Sequence, residues 1–241
     1  MSVKIEIIGI VGLGGFGRFL ATLVPPGVMA LGFDPGVTGD VPGVKKASLA
    51  ETMAADVIVL AVPLSAYAAV LESMAPMLRP ETLVIDVCSV KLQAEELLGK
   101  YLPGHENILL THPLFGPQSA RDGLSGHKLV VTGSAGLRAH GALRFAERTL
   151  GLEILRMSSE EHDRTMARVQ ALTFFVARGL ASMGLGEEPI MTPSYQMIID
   201  LVAFDATHSD DLFRTVAKGN RFAKAERQRL MDSLREVDKS L

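Results

Sequence analysis

The chain has 241 residues, 48% of them hydrophobic, with 24 basic against 27 acidic residues and a net charge of −3. That is enough apolar material for a sizeable core in one or two domains. The near-neutral balance, without basic runs or interleaved aromatics, argues against nucleic acid as a partner, because such binding is dominated by phosphate neutralisation. Cys88 is the single cysteine, so no intrachain disulfide can form, and with no Cys/His ligand spacing no metal site is expected. Both points suit a reducing, cytoplasmic setting. The longest apolar stretch, Val57 to Leu71, is broken by Pro63 and falls short of the roughly 18 residues a spanning helix needs. Glu6 interrupts the apolar start, and a glycine loop follows it instead of a cleavage site. The expectation is a soluble protein without membrane contact.

In chain order, short β-branched runs at Ile5–Val11, Val28–Phe33, Val57–Val62, Leu83–Val87, Ile108–Thr111 and Lys128–Thr132 predict strands. They are nearly continuous in apolar residues, as strands buried on both faces should be. Helical patterns fall between them at Arg18–Leu23, Leu49–Ala54, Ala66–Met77 and Gln93–Tyr101. The alternation predicts an α/β fold with a parallel sheet. The character changes after Gly151. A strand-like Glu153–Met157 leads to Ser158 and Glu161, spaced as a capping box, and Met166, Val169, Leu172, Val176, Leu180 and Met183 recur at helical spacing. Further helices are predicted at Tyr195–Phe204, Asp210–Lys218 and Arg221–Ser240. The expected division is a dinucleotide-binding domain over 1–151 and an all-helical domain over 152–241. Such a thin helical layer is expected to cover its apolar faces with a second copy, as a homodimer.

Gly12, Gly14 and Gly17 match G-x-G-x-x-G where a strand meets a helix, and the next strand ends in Asp34. In a Rossmann-type fold the first glycine permits a tight turn, the second admits the pyrophosphate, and the third lets helix and sheet pack closely. The anion then lies at the helix N-terminus. Asp34, 22 residues after Gly12, can accept hydrogen bonds from both ribose hydroxyls, and no arginine follows it to receive a 2′-phosphate. NAD is therefore expected in preference to NADP, with Gly12, Gly14, Gly15, Phe16, Gly17, Asp34 and Val62 as candidate contacts. In such a sheet ligands bind beyond the carboxyl ends of the strands. One end carries Cys88-Ser89-Val90-Lys91 and the next Thr111-His112-Pro113, so Ser89 and His112 should share a rim. A dehydrogenase oxidising an alcohol needs a base for the hydroxyl proton. Histidine, with an ordinary pKa of about 6.5, suits that task, and Ser89 could orient it or the substrate.

Asp86-Val87-Cys88-Ser89-Val90-Lys91 and His112-Pro113-Leu114-Phe115-Gly116-Pro117 resemble the paired signatures of prephenate and arogenate dehydrogenases. Met157 to Asp163 and Asn220-Arg221-Phe222-Ala223 extend the resemblance, especially toward the plant arogenate branch. The resemblance implies NAD(P)-dependent oxidative decarboxylation of a cyclohexadienol acid, in tyrosine biosynthesis. His112 would take the ring hydroxyl's proton while hydride leaves for the nicotinamide and the carboxylate departs as carbon dioxide. It also implies a substrate-facing histidine where Phe174 stands, a glutamate where Gln118 stands and, in prephenate-specific members, an arginine near Asp200. Gln118 and Asp200 are thus the substrate-site candidates, and an acidic Asp200 favours arogenate, whose side chain carries an ammonium. The competing expectations are a non-catalytic dinucleotide-binding paralogue and another small Rossmann reductase.

Overall fold

The computed structural model describes residues 4–241. They form two compact units, one extending to Ser159 and the other comprising Glu160–Leu241. In the first, β1 (Ile7–Val11), α1 (Gly15–Ala21), β2 (Met29–Phe33), β3 (Lys45–Lys46), α2 (Leu49–Met53), β4 (Val57–Leu60), α3 (Tyr67–Met74), β5 (Leu83–Asp86), α4 (Lys91–Tyr101), β6 (Ile108–Pro113), β7 (Lys128–Ser134), α5 (Gly136–Arg148) and β8 (Glu153–Arg156) follow one another. The eight strands form one sheet in the order β3-β2-β1-β4-β5-β6-β7-β8. Its first six positions have the doubly wound dinucleotide-binding order, in which the chain reverses direction across the sheet beside β1.

Side-chain alternation explains the two helical layers. Ile58, Leu60, Val84 and Leu110 face α3 and α4, packing with Tyr67, Leu71, Met74, Ala94 and Leu98. Val57, Leu83 and Leu109 face the other way, onto Ala139 and Leu143 of α5. Ile10 joins Leu13 and Ala21 beside α1. Local signals start the elements: Ser48 and Glu51 close a capping box on α2, and the lysine-only β3 is short and charged, as a sheet edge should be.

Three expectations need correction. The sheet is not wholly parallel, because β7 runs antiparallel to β6, with His112 opposite Val130. No helix lies between these two strands, and an antiparallel return needs no crossover helix. Second, α5 has no counterpart among the predicted helices; its buried face consists of Ala139, Leu143 and Ala146 among charged residues. Third, the boundary at 151/152 lies too early. β8 pairs in parallel with β7, so Glu153–Arg156 completes the first unit's sheet instead of opening the helical region.

The second unit follows from α6 (Ser159–Met166), which opens just after Ser158. A π-helical stretch, Ala167–Leu172, continues it into α7 (Thr173–Ser182). Then come α8 (Pro193–Asp205), α9 (Asp210–Arg214) with a π-helical end at Thr215–Gly219, and α10 (Ala223–Lys239). Thr192 caps α8 by accepting from Tyr195 N, and Pro193 occupies the first turn, where a missing N–H costs nothing. The core is small: Ala171, Phe174, Val216 and Ala223, backed by Leu212 and Phe213. Val169 and Met183, part of the regular apolar stripe, are exposed, while Ala167, Ala171 and Ala177 are buried.

Candidate functional site

The strand register places the candidate residues. Val11 lies beside Leu60, Leu60 beside Asp86, and Asp86 beside Leu110, all in parallel. The loops leaving β1, β4 and β5 and the end of β6 therefore emerge on one edge of the sheet. That edge carries the glycine loop, Val62, Ser89 and His112.

At the glycine loop, Gly12 has φ +98°, and an added Cβ would sit 2.5 Å from the Ala61 carbonyl oxygen and 2.9 Å from Val62 Cγ1. A Cβ on Gly17 would lie 1.9 Å from the Gly12 carbonyl oxygen. These two positions are closed to side chains by the turn and by the close packing of helix on strand. Gly14 and Gly15 are exposed, with no heavy atom within 4 Å of an added Cβ. The space beside their α carbons is therefore open. Asp34, half-buried at the end of β2, accepts from Leu13 N at 2.7 Å and Gly36 N at 2.8 Å. Each carboxylate oxygen holds one amide and keeps acceptor capacity for a hydroxyl. The half-buried Phe16 packs against Phe19, and Phe19 meets Phe115 edge-on with ring centroids 6.3 Å apart. The Leu114-Phe115-Gly116 segment is thereby drawn against α1.

His112, only 3% exposed, lies near the end of β6, and Ser89 is half-buried in the turn between β5 and α4. Beneath them lies a polar cluster that the residue pattern alone did not single out. Asp86 and Lys91 are both fully buried and form an ion pair. Tyr67 donates its hydroxyl to Asp86 Oδ1, and Cys88 N donates to the same oxygen at 2.9 Å. Burial first, then the adjacent Asp86, raise the Tyr67 pKa well above the usual tyrosine value, so the hydroxyl stays a donor. The available signal was a lysine set directly between the apolar Val90 and Leu92.

The substrate candidates are placed differently. Gln118 is exposed in the turn after β6. Asp200 is exposed on α8, where its Oδ1 accepts from Gln196 Nε2 at 2.8 Å. Phe174 is buried in the helical unit, with its ring 4.8 Å from that of His208. Burial, above all, lowers the His208 pKa. Arg178 donates to Asp205 Oδ2 at 2.6 Å and to Asp210 Oδ1 at 2.7 Å, joining α7 to α8 and α9. The two later motifs of the resemblance meet here: Asn220 Nδ2 donates to the Asp163 carbonyl at 2.7 Å, and Arg164 lies over the Phe222 ring. Asp163 also pairs with the buried His162, Nδ1 to Oδ1 at 2.8 Å.

The family model described as "Prephenate dehydrogenase, nucleotide-binding domain" matches residues 36–149, and one described as "TYRAAT1-like, C-terminal domain" matches 179–241. Arogenate dehydrogenase 2, chloroplastic, of Arabidopsis thaliana is 34% identical over 77% of this chain and 54% of its own length. Arogenate dehydrogenase 1, chloroplastic, of the same plant is 38% identical over 56% of this chain and 22% of its own. The chain thus spans about half the length of the first relative and about a fifth of the second. Among solved structures, prephenate dehydrogenase from A. aeolicus, in complex with hydroxyphenyl propionate and NAD+, superposes with a TM-score of 0.78 at 18% identity, covering 99% of this chain and 91% of that one. Synechocystis arogenate dehydrogenase gives 0.68 at 22% identity, covering 98% and 93%. These likenesses establish the fold. The nucleotide-binding match over residues 36–149 and the two arogenate dehydrogenase relatives support membership of the prephenate/arogenate dehydrogenase family.

Proposed function

We propose that the protein is an NAD-dependent dehydrogenase of tyrosine biosynthesis that oxidatively decarboxylates arogenate in preference to prephenate. The observation that carries this reading is the sheet register, which puts the glycine loop, Ser89 and His112 on one edge. The backbone of Gly14 and Gly15 would receive the pyrophosphate, Asp34 the ribose hydroxyls, and Val62 and Phe16 the flanks of the dinucleotide. When bound, the nicotinamide supplies the hydride acceptor. The neutral His112 imidazole accepts the ring hydroxyl's proton as that carbon loses hydride, and Ser89 holds the hydroxyl or the imidazole in line. The C–O bond becomes a carbonyl, and the electrons of the breaking bond to the carboxylate enter the ring. Carbon dioxide leaves, the carbonyl oxygen takes up the displaced electron pair, and the proton held by His112 returns to it to give the phenol. Burial of His112 keeps competing water away from the proton transfer.

Among the described residues no helix is long and apolar enough to cross a membrane. We place the protein in the cytoplasm, where its one cysteine, buried and in no disulfide, suits a reducing medium. We assign a homodimer built through the helical unit. Of the thirteen residues of α8 only Asp205 is buried, while Met197 and Phe204 are exposed. A second reading, a dinucleotide-binding paralogue without turnover, is favoured by Phe174, which offers the substrate no polar group, and by the solvated Asp200. Purified protein assayed with prephenate and arogenate, each with NAD and NADP, separates the two. Turnover of arogenate with NAD is expected; cofactor binding without turnover of either substrate selects the paralogue.

A further inference from the structure

Lys91 opens α4 with its side chain wholly enclosed, and a buried ammonium is costly unless closely paired. Its Nζ donates to Asp86 Oδ2, to the Cys88 carbonyl at 3.0 Å and to the Thr111 carbonyl. Asp86 is held in turn by Tyr67 and by Cys88 N, and its own carbonyl accepts from the Thr111 hydroxyl at 2.7 Å. Two of the gripped carbonyls have significant places in the chain. Cys88 immediately precedes Ser89, and Thr111 immediately precedes His112. A carbonyl shares a rigid plane with the next residue's nitrogen and Cα, so gripping these two oxygens orients the planes from which Ser89 and His112 project.

The sheet holds His112 only from the β7 side, opposite Val130, and gives it no rung toward β5. The β5–β6 register ends at Asp86 beside Leu110, short of both residues. Beyond that last rung Lys91 bridges the two strands. An ammonium suits the position because it presents three donors from one point, each strengthened by its charge. We propose that Lys91 is a positioning residue: anchored on Asp86 and Tyr67, it ties the main chain before Ser89 to the main chain before His112 and sets the spacing of the two side chains. This rests on the dehydrogenase reading above.

Removing Lys91 alone would strand the Asp86 charge, so the test uses paired variants. In Asp86→Asn/Lys91→Met the carboxylate and the donors are both gone; in Asp86→Asn/Lys91→Gln two N–H donors return without the charge. Expected for the Met pair are a Kd for NAD within about threefold of wild type and a kcat about 100-fold lower, the scale of a misplaced reacting group. The Gln pair should recover at least about tenfold of that kcat. Amide hydrogen exchange at 87–90, 112 and 114 should quicken at least about tenfold in the Met pair, and less in the Gln pair, with β1 amides as internal reference. If the Met pair does not fold, Tyr67→Phe, which removes one anchor of Asp86, takes its place with a smaller expected fall of about threefold to tenfold. Unchanged kcat, equal losses in the Met and Gln pairs, or a kcat loss without local quickening overturns the proposal. Wild-type protein that turns over neither substrate defeats the dehydrogenase reading instead. The exchange comparison then decides the clamp alone: local quickening supports it and unchanged amides overturn it.

Discussion

In the proposed function, His112 and Asp34 carry the most chemistry per residue. Positioned acid–base groups contribute about 10²- to 10⁴-fold, so His112→Asn should lower kcat by that range while NAD still binds, because the glycine loop lies on another strand. Asparagine keeps a polar side chain in the buried slot, and a variant within threefold of wild type would remove His112 from the mechanism. Asp34 is oriented by the Leu13 and Gly36 amides, which aim a negative charge at any 2′-phosphate. The kcat/KM with NAD should therefore exceed that with NADP, and a clear NADP preference would show that Asp34 does not read the ribose. Asp200 is the residue whose role the chain alone leaves open, since its carboxylate is solvated and shared with Gln196. If it faces the substrate's amino end, wild type prefers arogenate and Asp200→Asn moves the ratio of kcat/KM toward prephenate. A ratio untouched by the substitution would leave Asp200 as a helix-surface residue.

Between elements, the second unit depends on a few polar ties because its apolar core is small. Arg178 binds α7 to the buried Asp205 at the end of α8 and to Asp210 in α9. Arg178→Met leaves the Asp205 carboxylate buried without its guanidinium, an error that costs about 3 kcal/mol. Urea unfolding of Arg178→Met should show that loss, and Arg178→Met/Asp205→Asn should regain part of it. Equal midpoints for wild type and the single variant would show that solvent already screens the pair. In the first unit the same reasoning separates helices by what starts them. α2 declares itself through Ser48 and Glu51, whereas α5 begins on Gly136 at φ +82° with no capping side chain, and only its alternation of alanine, leucine and charge marks it.

For the whole molecule, the exposed apolar residues of the helical unit decide the expected assembly. Val169, Met183, Ile190 and Met197 are all more than half exposed, apolar surface that a second copy would cover in the proposed dimer. Light scattering at micromolar concentration should give about twice the chain mass of 25.8 kDa. Met197→Glu, placed in the middle of α8, should shift the protein toward monomer. A wild type that is monomeric throughout the micromolar range would refute the dimer.

The sequence by itself determined the dinucleotide-binding half, since strands buried on both faces must be continuously apolar and a glycine turn admits few alternatives at Gly12 and Gly17. It also put Ser89 and His112 at neighbouring strand ends, because parallel strands send their carboxyl ends to one edge. Only the tertiary structure decided the direction of β7, the membership of β8 and the environment of Lys91. Strand direction depends on what the connecting chain can span, and β8 reads alike as a sheet edge or as the start of the next unit. Lys91 reads as an ordinary helix-start lysine until Asp86, Tyr67 and Thr111, from three other elements, enclose it. A buried charge is specified by the partners that surround it, and two of these, Thr111 and Tyr67, come from elements remote in sequence.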